Sequence, residues 1–179
     1  MNVIRRYRLV IPMSEKLSGL APIIEPDFKV LILGTMPSTI SLQRGEYYAN
    51  PMNQFWRIIC SVLGSTTDPQ QCCSYADKII LLRNNGIGLW DVLKECERKG
   101  SGDPDIKNGV SNNFVELLSE YSNVQCICFN GQKANQLFFK LNKKESFRKV
   151  KFYILPSSSS ANARTSFNEK VEKWQIVGK

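Results

Sequence analysis

Hydrophobic residues are concentrated in three short, uninterrupted runs, each of which ends at small or polar residues. The runs are Lys29–Leu33, followed by Gly34; Val124–Phe129, followed by Asn130-Gly131; and Val150–Leu155, followed by Pro156 and four serines. Continuous apolar runs of this length are typical of strands that are buried on both faces. The pattern therefore predicts three buried strands, each leading into a loop of small residues.

Apolar residues at helical spacing lie between these runs. They predict helices over Pro51 to Leu63, Asp91 to Arg98, Asn113 to Tyr121, Gln132 to Leu141 and Phe167 to Gln175. Ile87 to Trp90 resembles a further strand. Alternating strands and helices predict the α/β class, here a three-layer α/β/α sandwich with a central, largely parallel sheet. No internal repeat divides the 179 residues, so one domain over 1–179 is expected.

Three loops of unusual composition follow the predicted buried strands. They are GTMPSTIS (Gly34 to Ser41), FNGQKA (Phe129 to Ala134) and LPSSSSANAR (Leu155 to Arg164). In open α/β sheets, ligands bind where the carboxyl ends of the strands meet. Glycine permits close backbone approach, and serine hydroxyls with a nearby arginine suit a phosphate. The three loops therefore predict one binding edge of the sheet.

The stretch GEYYANPMNQFW, Gly45 to Trp56, concentrates aromatic rings and neutral amides. Asn50 and Pro51 are typical of a helix start, with asparagine as the cap and proline in the first turn. A predicted buried stripe follows, comprising Met52, Phe55, Trp56, Ile59, Cys60 and Leu63. This interpretation leaves Tyr47, Tyr48 and Asn53 unexplained. Tyrosine can stack on a nucleic-acid base, which contributes roughly 1–3 kcal/mol.

The formal net charge is +8, and 42% of the residues are hydrophobic. Such a charge indicates either a solvated basic surface or a polyanionic partner, most often nucleic acid. No apolar run is long enough to span a bilayer, and the amino terminus resembles no cleavable leader. A soluble protein of the cytoplasm (nucleoid), or of the nucleus in a eukaryote, is expected, without membrane association.

Six cysteines are present, and the chain contains no histidine. Cys72 and Cys73 are adjacent, whereas Cys126 and Cys128 lie in a predicted buried strand. Without a Cys-x-x-Cys pair or histidine, this spacing does not suit a zinc site. Reduced structural thiols and no metal are therefore expected.

The stretch VLILGTMPSTISLQRGEYYANPMNQFWRII resembles the signature of the uracil-DNA glycosylase superfamily, in particular its hypoxanthine-DNA (deoxyinosine) glycosylase branch. The resemblance continues through GIGLWDVLKECERKGSGDPDIKN, FNGQKA and LPSSSSANA, and covers roughly residues 20–175. It implies one α/β domain that acts without a cofactor on DNA containing a deaminated base. The implied reaction removes that base and leaves an abasic site, and we expect a monomer.

The resemblance also implies roles for individual residues. Asn53 matches the catalytic asparagine of this branch, Tyr48 the aromatic residue that stacks on the extruded base, and Asp91 a position that reads the base edge. Gly34, Thr35, Met36 and Pro37 form the first active-site loop, with Met36 beside the base. The second motif, Pro156 to Arg164, grips phosphate and fills the gap left by the flipped nucleotide. The implied phosphate and wedge residues are Ser38, Lys133, Ser157, Ser158, Ser159 and Arg164.

The chain departs from the superfamily's usual pattern at four positions. Met36 occupies a position that is often polar and catalytic, and Leu155 one that is often histidine; both are expected of this branch. Asn50 stands where the branch usually has histidine, and Ser160 where it has proline. The first two departures shift the catalytic role toward Asn53, and the change at Asn50 bears on rate or substrate preference.

An enzyme of this kind does not need histidine. Hypoxanthine and uracil depart as delocalised anions, so the glycosidic bond can break with little proton transfer, through a transition state stabilised by electrostatics and positioning. The hypothesis is that Asn53 orients the attacking water. Alternatively, Asn53 only satisfies backbone groups near a helix start, and Asp91 only caps the helix after it. Lys133 beside a glycine turn favours phosphate contact over covalent strand nicking.

Three other functions remain open at this stage. A uracil- or mismatch-directed glycosylase would share the fold and differ in the shape of its pocket. A non-catalytic nucleic-acid-binding module would account for Met36 and the missing histidines. A small-molecule nucleotide hydrolase would use similar phosphate loops but needs paired carboxylates or metal ligands, and Glu46 stands alone in the GEYYANPMNQFW stretch.

Overall fold

The computed structural model describes residues 15–64, 74–147 and 149–179. Its strands are β1 (Glu15–Ser18), β2 (Val30–Gly34), β3 (Ile87–Asp91), β4 (Leu93–Arg98), β5 (Lys107–Ser111), β6 (Cys126–Asn130) and β7 (Lys151–Leu155). Its helices are α1 (Thr39–Arg44), α2 (Phe55–Val62), α3 (Tyr75–Asn84), α4 (Phe114–Glu120), α5 (Gln132–Leu141) and α6 (Phe167–Trp174). Short 3₁₀ helices cover Asp103–Asp105, Lys144–Phe147 and Gln175–Gly178.

A parallel sheet in the order β3-β2-β6-β7 forms the centre of the fold. Every residue of β2 and β6 is buried, as expected of strands covered on both faces. The three predicted apolar strands and the strand over Ile87 to Trp90 are all present, within two residues of their predicted bounds. The predicted α/β fold with a parallel central sheet is therefore confirmed.

Alternate side chains of the central strands supply two separate hydrophobic clusters. Leu31, Leu33, Ile127 and Phe129 belong to the cluster that includes Phe114 of α4 and Phe138 of α5. Val30, Ile32, Cys126 and Cys128 belong to the other cluster, together with Phe55 and Ile59 of α2 and Trp174 of α6. Because a strand's side chains alternate between its two faces, the clusters mark the helical layers on either side of the sheet.

A second, antiparallel sheet in the order β1-β4-β5 was not predicted. It contains most of the segment Asp91 to Arg98, for which the sequence pattern predicted a helix, so that prediction is wrong. Leu93 and Cys96 are both buried, although residues three positions apart in a regular strand point to opposite faces. The pairing of β4 with β5 contains register shifts that interrupt strict alternation. The bulges thus allow two buried residues to lie three positions apart, which is also a typical spacing of buried residues in a helix.

The segment before α2 also differs from the prediction. Helix α2 begins at Phe55, after a turn, so Asn50 does not cap it. The Asn50 side chain instead accepts a hydrogen bond from the Met52 backbone N–H at 3.0 Å. Met52, expected in the buried stripe, is 67% exposed, whereas Phe55, Trp56, Ile59 and Cys60 are buried as predicted. Helices α1 and α3 were also not predicted.

Cys60, Cys96, Cys126 and Cys128 are buried, which agrees with structural thiols. The adjacent pair Cys72-Cys73 lies outside the described residues. Among the residues that the structure describes, no helix combines the length and apolar character needed to cross a bilayer.

Candidate active site

A cavity of about 600 Å³ opens at the carboxyl ends of the central strands. All three predicted loops line it, together with the turn before α2 and the Ser101–Pro104 segment. The predicted site residues in its lining are Gly34, Thr35, Met36, Pro37, Ser38, Tyr48, Asn53, Asp91, Lys133, Ser157, Ser158 and Ser159. Arg164 is exposed and is not among the lining residues. The sheet therefore brings together residues that are up to 125 positions apart, between Gly34 and Ser159.

Gly34 ends β2 at the point where two polar side chains approach the backbone. A Cβ atom at this position would lie 2.3 Å from Asp91 Oδ1 and 2.9 Å from the Tyr48 hydroxyl. Contacts this short require glycine, because any side chain would displace one of these groups. Gly34 thus allows Asp91 and Tyr48 to meet at the floor of the cavity.

Asp91 is the last residue of β3 and is only 4% exposed. Among the described residues, its Oδ2 atom has no hydrogen-bond partner. Burial raises the pKa of Asp91 to about 8, with a further increase from the Asp103 carboxylate and an opposing effect of Arg98. Asp91 therefore carries a proton at neutral pH, so that it can donate a hydrogen bond into the cavity. It begins no helix, because strand β4 follows.

Thr35 and Asp103 line the cavity beside Asp91, and the charge of buried Arg98 acts on both aspartates. The Thr35 hydroxyl donates to Asp103 Oδ2 at 3.1 Å, and buried Arg98 donates from Nη2 to the Pro37 carbonyl at 2.5 Å. Burial raises the pKa of Asp103, and the Thr35 bond and the Arg98 charge oppose this rise. The sequence analysis missed Asp103 and Arg98, since the unpredicted antiparallel sheet positions both.

Tyr48 is held against the cavity by a stacked ring and a hydrogen bond. Its ring is stacked on Phe55, with centroids 3.9 Å apart and an interplanar angle of 16°. Its hydroxyl accepts a hydrogen bond from Asn130 Nδ2 at 2.9 Å. The backbone is left-handed at Tyr48, with φ of 54°, which is uncommon for a residue other than glycine. Burial raises the pKa of Tyr48, so its phenol remains neutral.

Tyr47 also borders the cavity, but it is held in the core. It is 3% exposed, and its hydroxyl donates to the carbonyls of Leu20 and Ala21 at 3.2 and 3.1 Å. Its own carbonyl accepts a hydrogen bond from the Trp56 indole at 3.0 Å. Tyr47 therefore anchors the segment that carries Tyr48. The two adjacent tyrosines have different roles.

Asn53 lies in the turn two residues before α2. Its Oδ1 atom accepts a hydrogen bond from the Phe55 backbone N–H at 3.0 Å, and its own N–H donates to the Asn50 carbonyl at 2.9 Å. Through the first bond, Asn53 satisfies a backbone N–H near the helix start, which is the role considered above as an alternative to catalysis. It also fixes the carboxamide at the cavity wall. An amide oxygen has two lone pairs, so it can accept a second hydrogen bond from water.

Asn130, at the end of β6, joins Tyr48 to the serine loop, Pro156 to Arg164. Its Nδ2 atom donates to the Tyr48 hydroxyl and to Ser158 Oγ, and its Oδ1 atom accepts from the Ser158 N–H at 2.8 Å. Ser158 is fully buried, so its side chain holds the loop in place and does not face the solvent. The sequence analysis assigned no role to Asn130. A polar residue that ends a buried strand was the available signal.

The other predicted phosphate residues lie on or near the rim of the cavity. Lys133 is exposed, and Ser157 and Ser159 are half-buried. Ser38 caps α1 by accepting a hydrogen bond from the Ser41 N–H at 3.2 Å. Within the described residues, no three His, Cys, Asp or Glu side chains are close enough to one another to hold a metal ion.

The comparisons with known proteins agree with this architecture. A sequence profile of the uracil DNA glycosylase superfamily matches residues 21–177. A hypoxanthine DNA glycosylase of Methanosarcina acetivorans is 38% identical over 159 residues, which are 89% of this chain and 96% of that protein. Another, from Methanosarcina barkeri, is 34% identical over 158 residues, covering 87% and 94%. A solution NMR structure of a candidate uracil DNA glycosylase from M. acetivorans has a TM-score of 0.75 and 33% identity, covering 92% of this chain and all of that chain.

The parallel sheet and its cavity define an α/β protein with a candidate active site at the carboxyl ends of the strands. With these comparisons, the chain belongs to the uracil DNA glycosylase superfamily. The resemblance inferred from the sequence motifs is thereby confirmed.

Proposed function

We propose that this protein is a DNA glycosylase that hydrolyses the N-glycosidic bond of a deaminated base, with hypoxanthine in deoxyinosine as the preferred target. The observation that carries the proposal is the convergence of Asn53, Tyr48 and Asp91 on one cavity. Its volume of about 600 Å³ can hold a purine with part of its sugar. The related hypoxanthine DNA glycosylases support the choice of base.

Asp91 reads the edge of the base. Deamination of adenine replaces an amino donor with a carbonyl acceptor, as deamination of cytosine also does. A protonated Asp91 donates a hydrogen bond to such an acceptor. Toward an amino group it can only accept, and a neutral carboxylic acid is a weaker acceptor than a carboxylate. The same hydrogen bond stabilises the negative charge that develops on the departing base. Asp91 thus selects deaminated bases and assists their departure.

Tyr48 and Asn53 act on the base and on the water, respectively. Phe55 covers one face of the Tyr48 ring, and the other face supports the base by stacking. The Asn53 carbonyl, fixed by the Phe55 N–H, orients a water molecule for attack on the sugar. A neutral amide is sufficient for this role, because little proton transfer is needed before the glycosidic bond breaks and positive charge develops on the sugar.

The rim of the cavity binds the DNA backbone. The hydroxyls of Ser157 and Ser159 suit phosphate oxygens, and Lys133 and Arg164 are exposed cations near the same loops. The net charge of +8 favours association with DNA. Because Lys133 is exposed, it contacts phosphate and does not nick the strand covalently. The product is therefore an intact strand with an abasic site. The protein acts as a monomer.

The Asp91–Asp103 pair is a feature that a nucleotide hydrolase would also need. In this cavity, however, Asp91 retains its proton and Asp103 is bonded to Thr35, so the two do not form a pair of free carboxylates. A neutral donor beside a stacking tyrosine favours base recognition.

The proposal is tested with labelled oligonucleotides that contain one deoxyinosine, one deoxyuridine or no lesion. Strand cleavage at deoxyinosine only after alkali treatment is the expected result, because glycosylase action leaves an alkali-labile abasic site. Cleavage before alkali would contradict the proposed product. Cleavage at deoxyuridine alone would shift the specificity to uracil. DNA binding without any cleavage would refute the enzyme and favour a binding module.

A further inference from the structure

Met52 is a large, exposed apolar side chain in the turn between two residues that line the cavity. It is 67% exposed, more than any other large hydrophobic residue in the described parts of the chain. Its neighbours Asn50 and Asn53 both line the cavity. An isolated exposed hydrophobic residue needs no explanation by itself. The position of Met52 between two residues that line a base-binding cavity is what calls for one.

The turn that carries Met52 is fixed by three hydrogen bonds. The Met52 N–H donates to Asn50 Oδ1 at 3.0 Å, and the Asn53 N–H donates to the Asn50 carbonyl at 2.9 Å. The Gln54 N–H then donates to the Ser158 carbonyl at 2.9 Å. The last bond joins the turn to the serine loop. Met52 and that loop therefore belong to the same rim.

The serine loop does not itself offer a bulky apolar side chain. Between Pro156 and Arg164 its residues are serines, alanines, an asparagine and the arginine. Leu155, the nearest large apolar residue before it, is only 4% exposed. When a base leaves the duplex, proteins commonly fill or pry open the stack with an apolar side chain, and methionine is among the residues used. The serines that the family resemblance assigned to this task are too small for it, and Arg164, at the end of the same motif, does not line the cavity.

We infer that Met52 is an apolar wedge that enters the base stack of duplex DNA while the target nucleotide is extruded into the cavity. This inference rests on the proposed function, because it assigns a wedge residue to the same site. The flexible, unbranched methionine side chain can adapt to the irregular space between base pairs. The fixed turn holds its backbone beside Asn53, so insertion and capture of the base occur at one rim.

The test compares duplex with single-stranded DNA, because a wedge acts only where a stack must be opened. Wild-type protein and Met52→Ala, Met52→Leu and Ile80→Ala variants are assayed for kcat/KM on deoxyinosine in both forms. Ile80 is a matched control, since it is 51% exposed on α3 and does not line the cavity. We expect Met52→Ala to lose roughly tenfold more activity on duplex than on single strands. Met52→Leu should recover most of the loss, and Ile80→Ala should behave as wild type.

A second readout does not depend on catalysis. The duplex carries 2-aminopurine next to a 2′-fluoro deoxyinosine, which resists cleavage, and its fluorescence rises when the stack opens. We expect a rise with wild-type protein and a smaller one with Met52→Ala. Equal fluorescence for the two proteins, or equal losses on both DNA forms, would overturn the wedge. If wild-type protein opened the duplex but excised nothing, the proposed function would fail while the fluorescence comparison still decided the role of Met52.

Discussion

Asp91 should impose an upper pH limit on base excision, and Asp91→Asn should remove that limit. The carboxyl is buried at the floor of the cavity, and its pKa is about 8. About nine in ten molecules then carry the proton at pH 7, and about one in ten at pH 9. If the protonated form alone reads the base, the excision rate falls about tenfold for each pH unit above 8.

The charged groups around Asp91 determine the direction of this effect. Burial and the Asp103 carboxylate favour the protonated acid, and Arg98 opposes them. Burial raises the pKa values of Tyr47 and Tyr48 well above their ordinary range, so neither phenol titrates below pH 10. Above pH 8, an ionised Asp91 would lose its donor and would repel the anionic leaving base. Asparagine keeps an N–H donor at every pH.

The assay is single-turnover excision of deoxyinosine from a single-stranded oligonucleotide between pH 6 and pH 9.5. Single strands remove the step of opening the duplex from the comparison. Any titration of the base itself is common to both proteins, so it cancels in the ratio of their rates. That ratio, Asp91→Asn over wild type, should rise steeply above pH 8. A ratio that stays constant over the whole range would refute the reasoning.

Substitutions at Gly34, Tyr48 and Lys170 test other parts of the structure. Gly34→Ala should reduce excision severely, because its Cβ would lie 2.3 Å from Asp91 Oδ1; the same single-turnover assay measures it. Tyr48→Phe should retain most activity, since the stacked ring remains, whereas Tyr48→Ala should lose most of it; similar rates for the two variants would contradict the stacking role. Lys170, 1% exposed, donates to Gln54 Oε1 and to the Asn162 carbonyl, at 2.8 and 3.1 Å. Lys170→Met should lower the free energy of unfolding by about 1–3 kcal/mol in urea titrations, and Lys173→Met, exposed on the same helix, should have little effect.

The central sheet could be predicted because each of its strands is buried on both faces. Such strands appear as continuous apolar runs, and the polar or small residues that end them mark the binding edge. This rule placed Gly34 at the binding edge, whereas Asp91 was assigned only from the family resemblance. The same rule placed Asn130 at that edge, in the loop Phe129 to Ala134, although its bond to Tyr48 was not predicted.

The antiparallel sheet could not be predicted from continuous apolar runs. Its bulged strand β4 places Leu93 and Cys96 inward at a spacing that is typical of a helix. Asp103 begins a short 3₁₀ helix after that strand, and only the tertiary fold brings it to Thr35. Helix α3, in contrast, had a local signal that was missed. Ser74 and Asp77 form a capping box at its start.

The turn before α2 shows how one pattern can have two explanations. Asn50-Pro51 has the composition of a helix start, yet the helix begins at Phe55. Asn50 and Asn53 each bond the N–H two residues later, which folds the segment into a turn. The extra turn exposes Met52 and brings Asn53 to the cavity wall.

The most direct test of the account is excision by an Asn53→Ala variant. Asn85→Ala is its control, because Asn85 also bonds local backbone, at the Leu81 carbonyl, but does not line the cavity. DNA binding is measured alongside the single-turnover release of hypoxanthine from deoxyinosine. We expect wild type and Asn85→Ala to release the base, and Asn53→Ala to bind DNA but release the base more slowly by roughly 100-fold or more. Release by Asn53→Ala at the wild-type rate would refute the catalytic role of Asn53.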